Sequence, residues 1–274
     1  MTIKIVTDSA SDLFELSDVP FAAASLKIIT AQREYVDDRT LDAEEMANDL
    51  ASYKGRSSSS CPNHQDWLEA FGDAEQVVCV TITGGLSGSY NAACMAKDIY
   101  EEENPGRRVL VLDSLSAGPE MALMIERIRE RILAGDDLDT IEKTFDRHRT
   151  RLLFVLSSLK NLANNGRISP LAAKLVGTLG IRMVGTASEA GTLELLHKCR
   201  GENRALETVV ACMAEAGFAG ERVKISHCLN RSAAETLKQL IREKFTNAAV
   251  EIYPTGGLCS FYAERGGLLI GFEV

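Results

Sequence analysis

Short, mainly apolar runs that end in small polar turns recur along the first half of the chain. Residues 3–6, 77–82 and 109–112 form such runs, and each is followed by a turn containing Asp, Ser, Thr or Gly. Continuous apolar runs of this length are typical of strands buried on both faces of a parallel sheet. We therefore predict three parallel strands whose carboxyl ends lie at one edge of a sheet.

Helical periodicity fills the stretches between these runs. Strands that alternate with helices form right-handed crossover units, so the pattern predicts a mostly parallel sheet flanked by helices. In such sheets ligands bind beyond the carboxyl ends of the strands, and we expect the polar turns to converge on one crevice. The predicted helices cover residues 43–51, 63–72, 90–103, 121–133 and 138–149.

The pattern changes near residue 151, where apolar runs become shorter and follow one another more closely. We place a boundary between Thr150 and Arg151, which gives an N-terminal α/β domain of residues 1–150 and a C-terminal α/β domain of residues 151–274 with a mixed sheet. The predicted strands there are 152–156, 181–184, 192–197, 222–227, 248–253 and 267–272, and the predicted helices are 159–164, 171–179, 202–216 and 232–245.

Composition narrows the possible partners and the location. Hydrophobic residues make up 45% of the chain and charged residues 25%, which is typical of globular proteins. The formal net charge of −9 argues against nucleic acid as the main partner. We expect a cytoplasmic protein without stable membrane insertion, because no signal-peptide pattern and no bilayer-spanning apolar run is present. The seven cysteines include no C-x-x-C pair, which fits reduced thiols.

The segment GLSGSYN at residues 85–91 joins a predicted strand to a predicted helix. A small, hydroxyl-rich turn at this position exposes backbone N–H groups at the positive end of a helix dipole, which favours an anion. Ser87 is explained equally well as a helix cap. The segment also approaches the nucleophile elbow G-x-S-x-G, but it lacks the last glycine.

Three further segments are open to a structural and a functional interpretation. The serine run at residues 57–60 is either a loop before a helix capped by Asn63 or a source of hydroxyls for the crevice. Arg167, after an Asn-Gly turn, is either a surface residue or an anion contact, and Arg200 is similar. The glycine-rich segment before the last strand is either a loop or a device that places Tyr262 over the crevice.

Common cofactor signatures are missing from the sequence. It contains no G-x-G-x-x-G fingerprint and no Gly-Lys pair, so neither a dinucleotide site nor a P-loop is predicted. The four histidines are far apart and form no helical pair of metal ligands; they are His64, His148, His197 and His227. We therefore predict no cofactor and no metal.

Taken together and in order, these segments resemble the DegV family. The resemblance rests on VTDSASDL at residues 6–13, SSCP at 59–62, LSGSY at 86–90, VLDS at 111–114, LKNLANNGRIS at 159–169 and KCRG at 198–201. It implies a two-domain α/β protein that binds a long-chain fatty acid between its domains, with the carboxylate held by hydroxyls and the acyl chain in an apolar tunnel. By the same resemblance Ser59 and Ser87 bind the carboxylate, and the neighbouring contacts are Gly88, Ser89 and Tyr262.

One segment departs from the family pattern. The family has a histidine in an H-x-G-P-G segment near the C-terminus, and YAERG at residues 262–266 stands in that place. Tyr262 offers a neutral hydroxyl where a histidine can offer charge. Arg265, which replaces the proline, is a candidate source of positive charge for the carboxylate.

Two hypotheses about function follow. The first is a cytoplasmic carrier without chemistry of its own, which presents the carboxylate of its bound acid to a fatty acid kinase. The second is a serine hydrolase or acyl-transfer enzyme with Ser87 as nucleophile, and it needs a base. The candidate bases are the histidines, or Asp8 or Asp113 if burial raises the pKa of either carboxyl. No spacing in the sequence favours any of them, so we prefer the carrier.

Overall fold

A parallel sheet forms the centre of the N-terminal half. In the computed structural model, which describes residues 2–169 and 180–274, all three neighbouring strand pairs of this sheet are parallel. In spatial order the strands are β2 (Phe21–Ala24), β1 (Ile3–Asp8), β6 (Gln76–Thr81) and β7 (Arg108–Asp113). Three of the four were predicted from their apolar runs, and the crossover pattern is confirmed.

Helices cover both faces of this sheet, which explains why its strands are apolar at successive positions. In β6, Val77 and Cys79 contribute to one buried cluster, and Val78 and Val80 contribute to another. The first cluster includes side chains of α2 (His64–Phe71) and α3 (Ser89–Glu103), and the second those of α4 (Gly118–Leu133) and α5 (Leu138–Thr144).

A small antiparallel sheet beside this unit was not predicted. Its strands, in spatial order, are β4 (Glu34–Val36), β3 (Lys27–Ile29) and β5 (Ser58–Ser60), and α1 (Ala43–Ser52) connects β4 towards β5. The serine run, for which a loop was one of the two interpretations, forms a strand over residues 58–60, with Ser59 opposite Ile28. Backbone pairing with β3 stabilises β5, and serine side chains give no periodic signal of such pairing.

A six-stranded mixed sheet organises the C-terminal half, as expected. Of its five strand pairs only the pair between residues 222–227 and 249–254 is parallel. In spatial order the strands are β10 (Leu193–Arg200), β9 (Ile181–Ala187), β8 (Thr150–Leu156), β13 (Leu268–Glu273), β11 (Arg222–His227) and β12 (Ala249–Pro254). The described helices of this half are α6 (Lys160–Asn164), α7 (Glu202–Glu215), α8 (Arg231–Lys244) and α9 (Gly257–Ala263).

Helix α4 joins the two halves. Met121 and Ile125 belong to the core under the parallel sheet, whereas Glu126 forms an ion pair of 2.7 Å with Lys224 of β11. The start of α4 lies directly on β13, because a Cβ placed on Gly271 would be 2.5 Å from the backbone nitrogen of Glu120. Since one helix packs on both sheets, the domain boundary at Thr150/Arg151 stays a prediction.

Two further predicted elements differ from the structure, and one cannot be compared. The helix predicted over 138–149 ends at Thr144, where Phe145 becomes extended and Asp146 caps a separate 3-10 turn, Arg147–Arg149. The glycine-rich segment before β13 is not a plain loop but contains α9. The helix predicted at 171–179 lies outside the described residues. Within the described ranges, no helix is long and apolar enough to cross a membrane.

Candidate functional site

An apolar cavity of about 290 Å³ lies between the carboxyl edge of the parallel sheet and the six-stranded sheet. Its volume is close to the lower end of the range of small-molecule sites, about 300 Å³. Both halves of the chain supply its walls. The aliphatic and aromatic wall residues are Leu26, Ile82, Leu86, Ala117, Leu152, Phe154, Leu156, Leu162, Leu193, Leu258, Ala263 and Leu269.

Hydroxyl groups from distant segments meet at this cavity. Ser59, Ser87, Gly88 and Tyr262 all lie in its wall. The Oγ of Ser59, in β5, is 2.7 Å from the Oη of Tyr262, in α9. The sequence-based expectation of a crevice approached by polar turns is therefore met in the geometry of these four residues, and their part in binding a ligand stays a proposal.

The loop that carries Ser87 places the start of α3 at the cavity. The Ser87 N–H donates to the carbonyl of Thr83 at 3.2 Å, and the Ser87 Oγ accepts from the N–H of Ser89 at 3.3 Å. Gly88 is the N-cap residue of α3, and a Cβ there would lie 3.3 Å from the Sγ of Cys61. Ser87 therefore accepts a local hydrogen bond just before the start of α3 and also lines the cavity, and its part in binding an anion stays a proposal.

Ser89 and Arg200 lie away from the cavity wall. The hydroxyl of Ser89 is buried and donates to the carboxylate of Asp8 at 2.6 Å, beneath the loop. Because the first residue of α3 points back to the strand ends, Ser89 supports the site and does not line it. Arg200 is exposed at the end of β10 and is absent from the described wall.

A guanidinium group stands at the polar end of the cavity. Arg167 lines the wall, and its Nε donates to the carbonyl of Leu86 at 3.2 Å. Its Cζ lies 5.7 Å from the centre of the Tyr262 ring. Arg265 does not fill this role, because its Nη1 donates to the Oδ1 of Asn48 on the outer surface, at 2.8 Å. Of these two arginines, Arg167 lies in the described wall and Arg265 does not.

Asp8 connects the strand ends to α3. Its buried carboxylate accepts the N–H of Ala10 at 3.2 Å and the N–H of Ile82 at 2.9 Å, in addition to the hydroxyl of Ser89. Burial raises the pKa of the Asp8 carboxyl to about 7. Asp113 plays a similar part beside it by accepting the N–H of Gly84 at 3.1 Å. The polar turns of three strands therefore converge, as predicted.

Two other buried carboxylates hold the start of α9. Asp37 accepts the N–H groups of Gly257 at 2.6 Å and Leu258 at 2.9 Å, and Asp12 accepts the N–H of Gly256 at 2.9 Å. A Cβ on Gly257 would lie 2.7 Å from the Oδ1 of Asp37, so only glycine allows this approach. Burial raises the pKa of Asp37 to about 6. Sequence reasoning missed Asp37, since its partners lie 220 residues away.

Asp12 is expected to make stability depend on pH. Burial, and secondly the charge of Asp37, raise its pKa from 3.8 to about 8. The folded state therefore binds this proton more tightly, and its contribution is lost as the pH rises from about 4 to about 8. Asp12→Asn keeps an acceptor for Gly256 but does not titrate. Urea unfolding across this range should show wild type losing stability relative to Asp12→Asn as the pH rises; a constant difference contradicts the assignment.

The polar side chains in the described wall of the cavity are hydroxyls, thiols and one guanidinium. The described wall contains no carboxylate and no imidazole. Asp8 lies beneath Ser89, and the histidines lie elsewhere; His148, for example, faces Glu189 at 3.6 Å. The described residues also contain no cluster of three or more His, Cys, Asp or Glu placed to hold a metal ion. Ser87 therefore has no general base within the described part of its surroundings.

Comparison with known proteins identifies the family. A family model described as an uncharacterised protein of the DegV family matches residues 2–273. A DegV domain-containing protein of Streptococcus pneumoniae is 42% identical over 280 residues, covering 100% of both chains. The crystal structure of a DegV family protein from Eubacterium eligens, loaded with heptadecanoic acid, is similar with a TM-score of 0.97 at 41% identity, again over 100% of both chains. The crystal structure of the Streptococcus pneumoniae Fatty Acid Kinase (Fak) B3 protein loaded with linoleic acid is also similar. Its TM-score is 0.97 at 42% identity, over 100% of both chains. This chain belongs to the DegV family.

Proposed function

We propose that this protein binds one long-chain fatty acid, with the acyl chain in the apolar cavity and the carboxylate at the hydroxyl groups of Ser59, Ser87 and Tyr262. The observation that carries the proposal is the distribution of apolar and polar groups in the cavity wall. The described wall is largely hydrocarbon, and the one charged group in it, Arg167, lies against Tyr262. Two relatives at 41% and 42% identity carry heptadecanoic acid and linoleic acid.

The acyl chain supplies most of the affinity. Each buried methylene contributes about 0.8 kcal/mol before the cost of ordering the chain. The head group then decides orientation, because hydrogen bonds to a charged group contribute about 1.5–3 kcal/mol each. A fatty acid therefore enters with its carboxylate at the polar end.

Tyr262 acts as a neutral donor in the place of the family histidine. Burial raises the pKa of its phenol, so the O–H stays protonated. Ser59 and Tyr262 share one hydrogen bond, in which one hydroxyl donates and the other keeps its proton for the carboxylate. The guanidinium of Arg167 lies over the ring and supplies the positive charge that a tyrosine lacks.

We also propose that the protein is a carrier that presents the carboxylate to a fatty acid kinase in the cytoplasm. Ser59 and Ser87 are only half-buried, so an acid held by them lies close to the surface. Arg167, at the polar end, and Arg200, exposed on β10, are the candidate contacts for the kinase or for the phosphate that it transfers. The relative named as a fatty acid kinase protein supports this role.

Ser87→Ala tests the head-group assignment. We expect affinity for a long-chain fatty acid to fall about 10-fold to 100-fold, since one hydrogen bond to a charged group is lost. Stability should fall by about 1 kcal/mol or less, because within the described part of the chain the Ser87 hydroxyl accepts a single hydrogen bond, from the N–H of Ser89. Native mass spectrometry and titration calorimetry measure the bound acid and its affinity.

Ser89→Ala is the matched control two residues further on. It removes a buried hydrogen bond to Asp8, so it should lower stability more than it lowers affinity. Unchanged affinity in Ser87→Ala would contradict the assignment. Turnover of activated esters by wild type, abolished in Ser87→Ala, would favour the hydrolase hypothesis over the carrier.

A further inference from the structure

A hairpin turn of the C-terminal half reaches across to the loop that carries Ser87. The turn, residues 188–192, joins β9 to β10. It is closed by a hydrogen bond of 2.7 Å from the N–H of Ser188 to the carbonyl of Thr192. The segment that it contacts, residues 83–88, is called the Ser87 loop below. The two segments lie more than 100 positions apart in the sequence, about 108 for the residues that bond to each other.

Thr83 is the residue through which the turn contacts the Ser87 loop. Its buried hydroxyl donates to the carbonyl of Gly191 at 2.8 Å and accepts the N–H of Gly85 at 3.1 Å. Its carbonyl accepts the N–H groups of Leu86 and Ser87, both at 3.2 Å. One residue therefore links the turn to the backbone that presents the Ser87 side chain.

Two glycines allow the turn and the loop to approach this closely. A Cβ on Gly85 would lie 2.9 Å from the carbonyl oxygen of Gly191 and 3.0 Å from that of Ala190. Gly191 itself is buried, has a φ of +71°, and could not carry a Cβ without overlap with the Oγ1 of Thr83. The backbone of the turn therefore lies directly against the loop and prevents it from moving in that direction.

The direction of the Ser87 side chain depends on the course of this loop. Among the described residues the Ser87 hydroxyl accepts one hydrogen bond, from the N–H two residues further on. The loop itself is also held from two other sides. The carboxylate of Asp113 accepts the N–H of Gly84 at 3.1 Å, and the Nε of Arg167 donates to the carbonyl of Leu86 at 3.2 Å.

We propose that the turn at residues 188–192, acting through Thr83, positions the Ser87 loop and strengthens the preference of the site for a carboxylate over a neutral head group. This inference rests on the proposed function. A donor that is held in place before binding needs no further ordering when the ligand arrives. Without the contact at Thr83 the loop has to be ordered on binding. A carboxylate then loses more affinity than a neutral group, because its hydrogen bonds are stronger and depend more on this geometry.

The experiment compares Thr83→Val with Thr186→Val, a control in β9. The Oγ1 of Thr186 donates a similar hydrogen bond, of 2.7 Å, to the carbonyl of Leu152, which is not part of the Ser87 loop. Calorimetry gives dissociation constants for palmitic acid and for 1-hexadecanol, which has the same carbon chain and a neutral head group. In Thr83→Val the ratio of the two affinities, acid over alcohol, should fall about 10-fold, with the affinity for the alcohol nearly unchanged. Thr186→Val should lose stability to urea and keep the wild-type ratio.

Thr83→Ser keeps the hydroxyl and should keep the wild-type ratio. Gly85→Ala pushes the loop away from the turn with the side chain of Thr83 in place, and it should also lower the ratio, which covers the case in which Thr83→Val does not fold. An unchanged ratio in the folded variants Thr83→Val and Gly85→Ala, or an equal fall in Thr186→Val, overturns the inference and leaves fatty-acid binding intact. Failure of wild type to bind palmitic acid overturns the proposed function itself.

Discussion

Replacement of Gly271 with alanine should lower the free energy of unfolding by at least about 3 kcal/mol, the upper end of ordinary overpacking. The new Cβ would lie 2.5 Å from the nitrogen of Glu120 and 2.6 Å from the carbonyl oxygen of Pro119. These are backbone atoms of α4, so no side-chain rotation relieves the contact. Helix and strand have to move apart, and urea denaturation measures the cost.

Ile270→Val is the control on the neighbouring residue of β13. Ile270 is fully buried, and loss of one methylene should cost about 0.5–1.5 kcal/mol. Gly271→Ala should also weaken fatty-acid binding, because Gly271 is the register partner of Leu152. Stability equal to that of Ile270→Val would show that α4 does not lie on β13 at this distance.

Asp37→Ala is expected to lower both stability and fatty-acid affinity. Two hydrogen bonds from Gly257 and Leu258 to a buried carboxylate are lost, at about 1.5–3 kcal/mol each. With a pKa of about 6, this carboxyl is mainly ionised at neutral pH and holds the start of α9. Tyr262 lies at the other end of the same short helix, so the head-group site should lose its geometry. Urea unfolding and calorimetry with stearic acid measure the two effects.

Two variants separate the role of Asp37 from a general effect of charge. Asp37→Asn keeps one acceptor oxygen. Its stability and its affinity for fatty acid should lie between those of wild type and Asp37→Ala. Asp38→Ala removes the adjacent carboxylate, which among the described residues accepts from Thr40 alone, and should leave affinity for fatty acid unchanged. Full affinity in Asp37→Ala would show that α9 keeps Tyr262 in place without this contact.

The strands and helices that were predicted correctly are those with a clear apolar pattern or a clear helix-capping residue. β6 is buried on both faces, β7 is partly buried at the edge of the sheet, and both appear as continuous apolar runs. α2 begins at the predicted cap, where the side chain of Asn63 accepts the N–H of Asp66 at 3.2 Å. β5 was not predicted, because it is a strand through its pairing with β3 and a run of serines carries no pattern that indicates such pairing.

Some residues of the candidate site could likewise be predicted from the sequence, and others could not. Ser59, Ser87, Gly88 and Tyr262 follow from segment order and resemblance, and the structure places them in one wall. Ser89 was expected beside them, but its direction depends on Asp8, a residue 81 positions away. Contacts of this separation depend on how the chain packs.

By itself the sequence determined the class of fold, the family, the succession of buried strands and the hydroxyl-bearing turns, because apolar period and turn chemistry are local properties. The tertiary structure alone decided that Asp37 holds the helix of Tyr262 and that Arg167 rather than Arg265 stands at the polar end. Each of these depends on atoms brought together from distant positions in the sequence, and the packing of the chain determines which atoms meet.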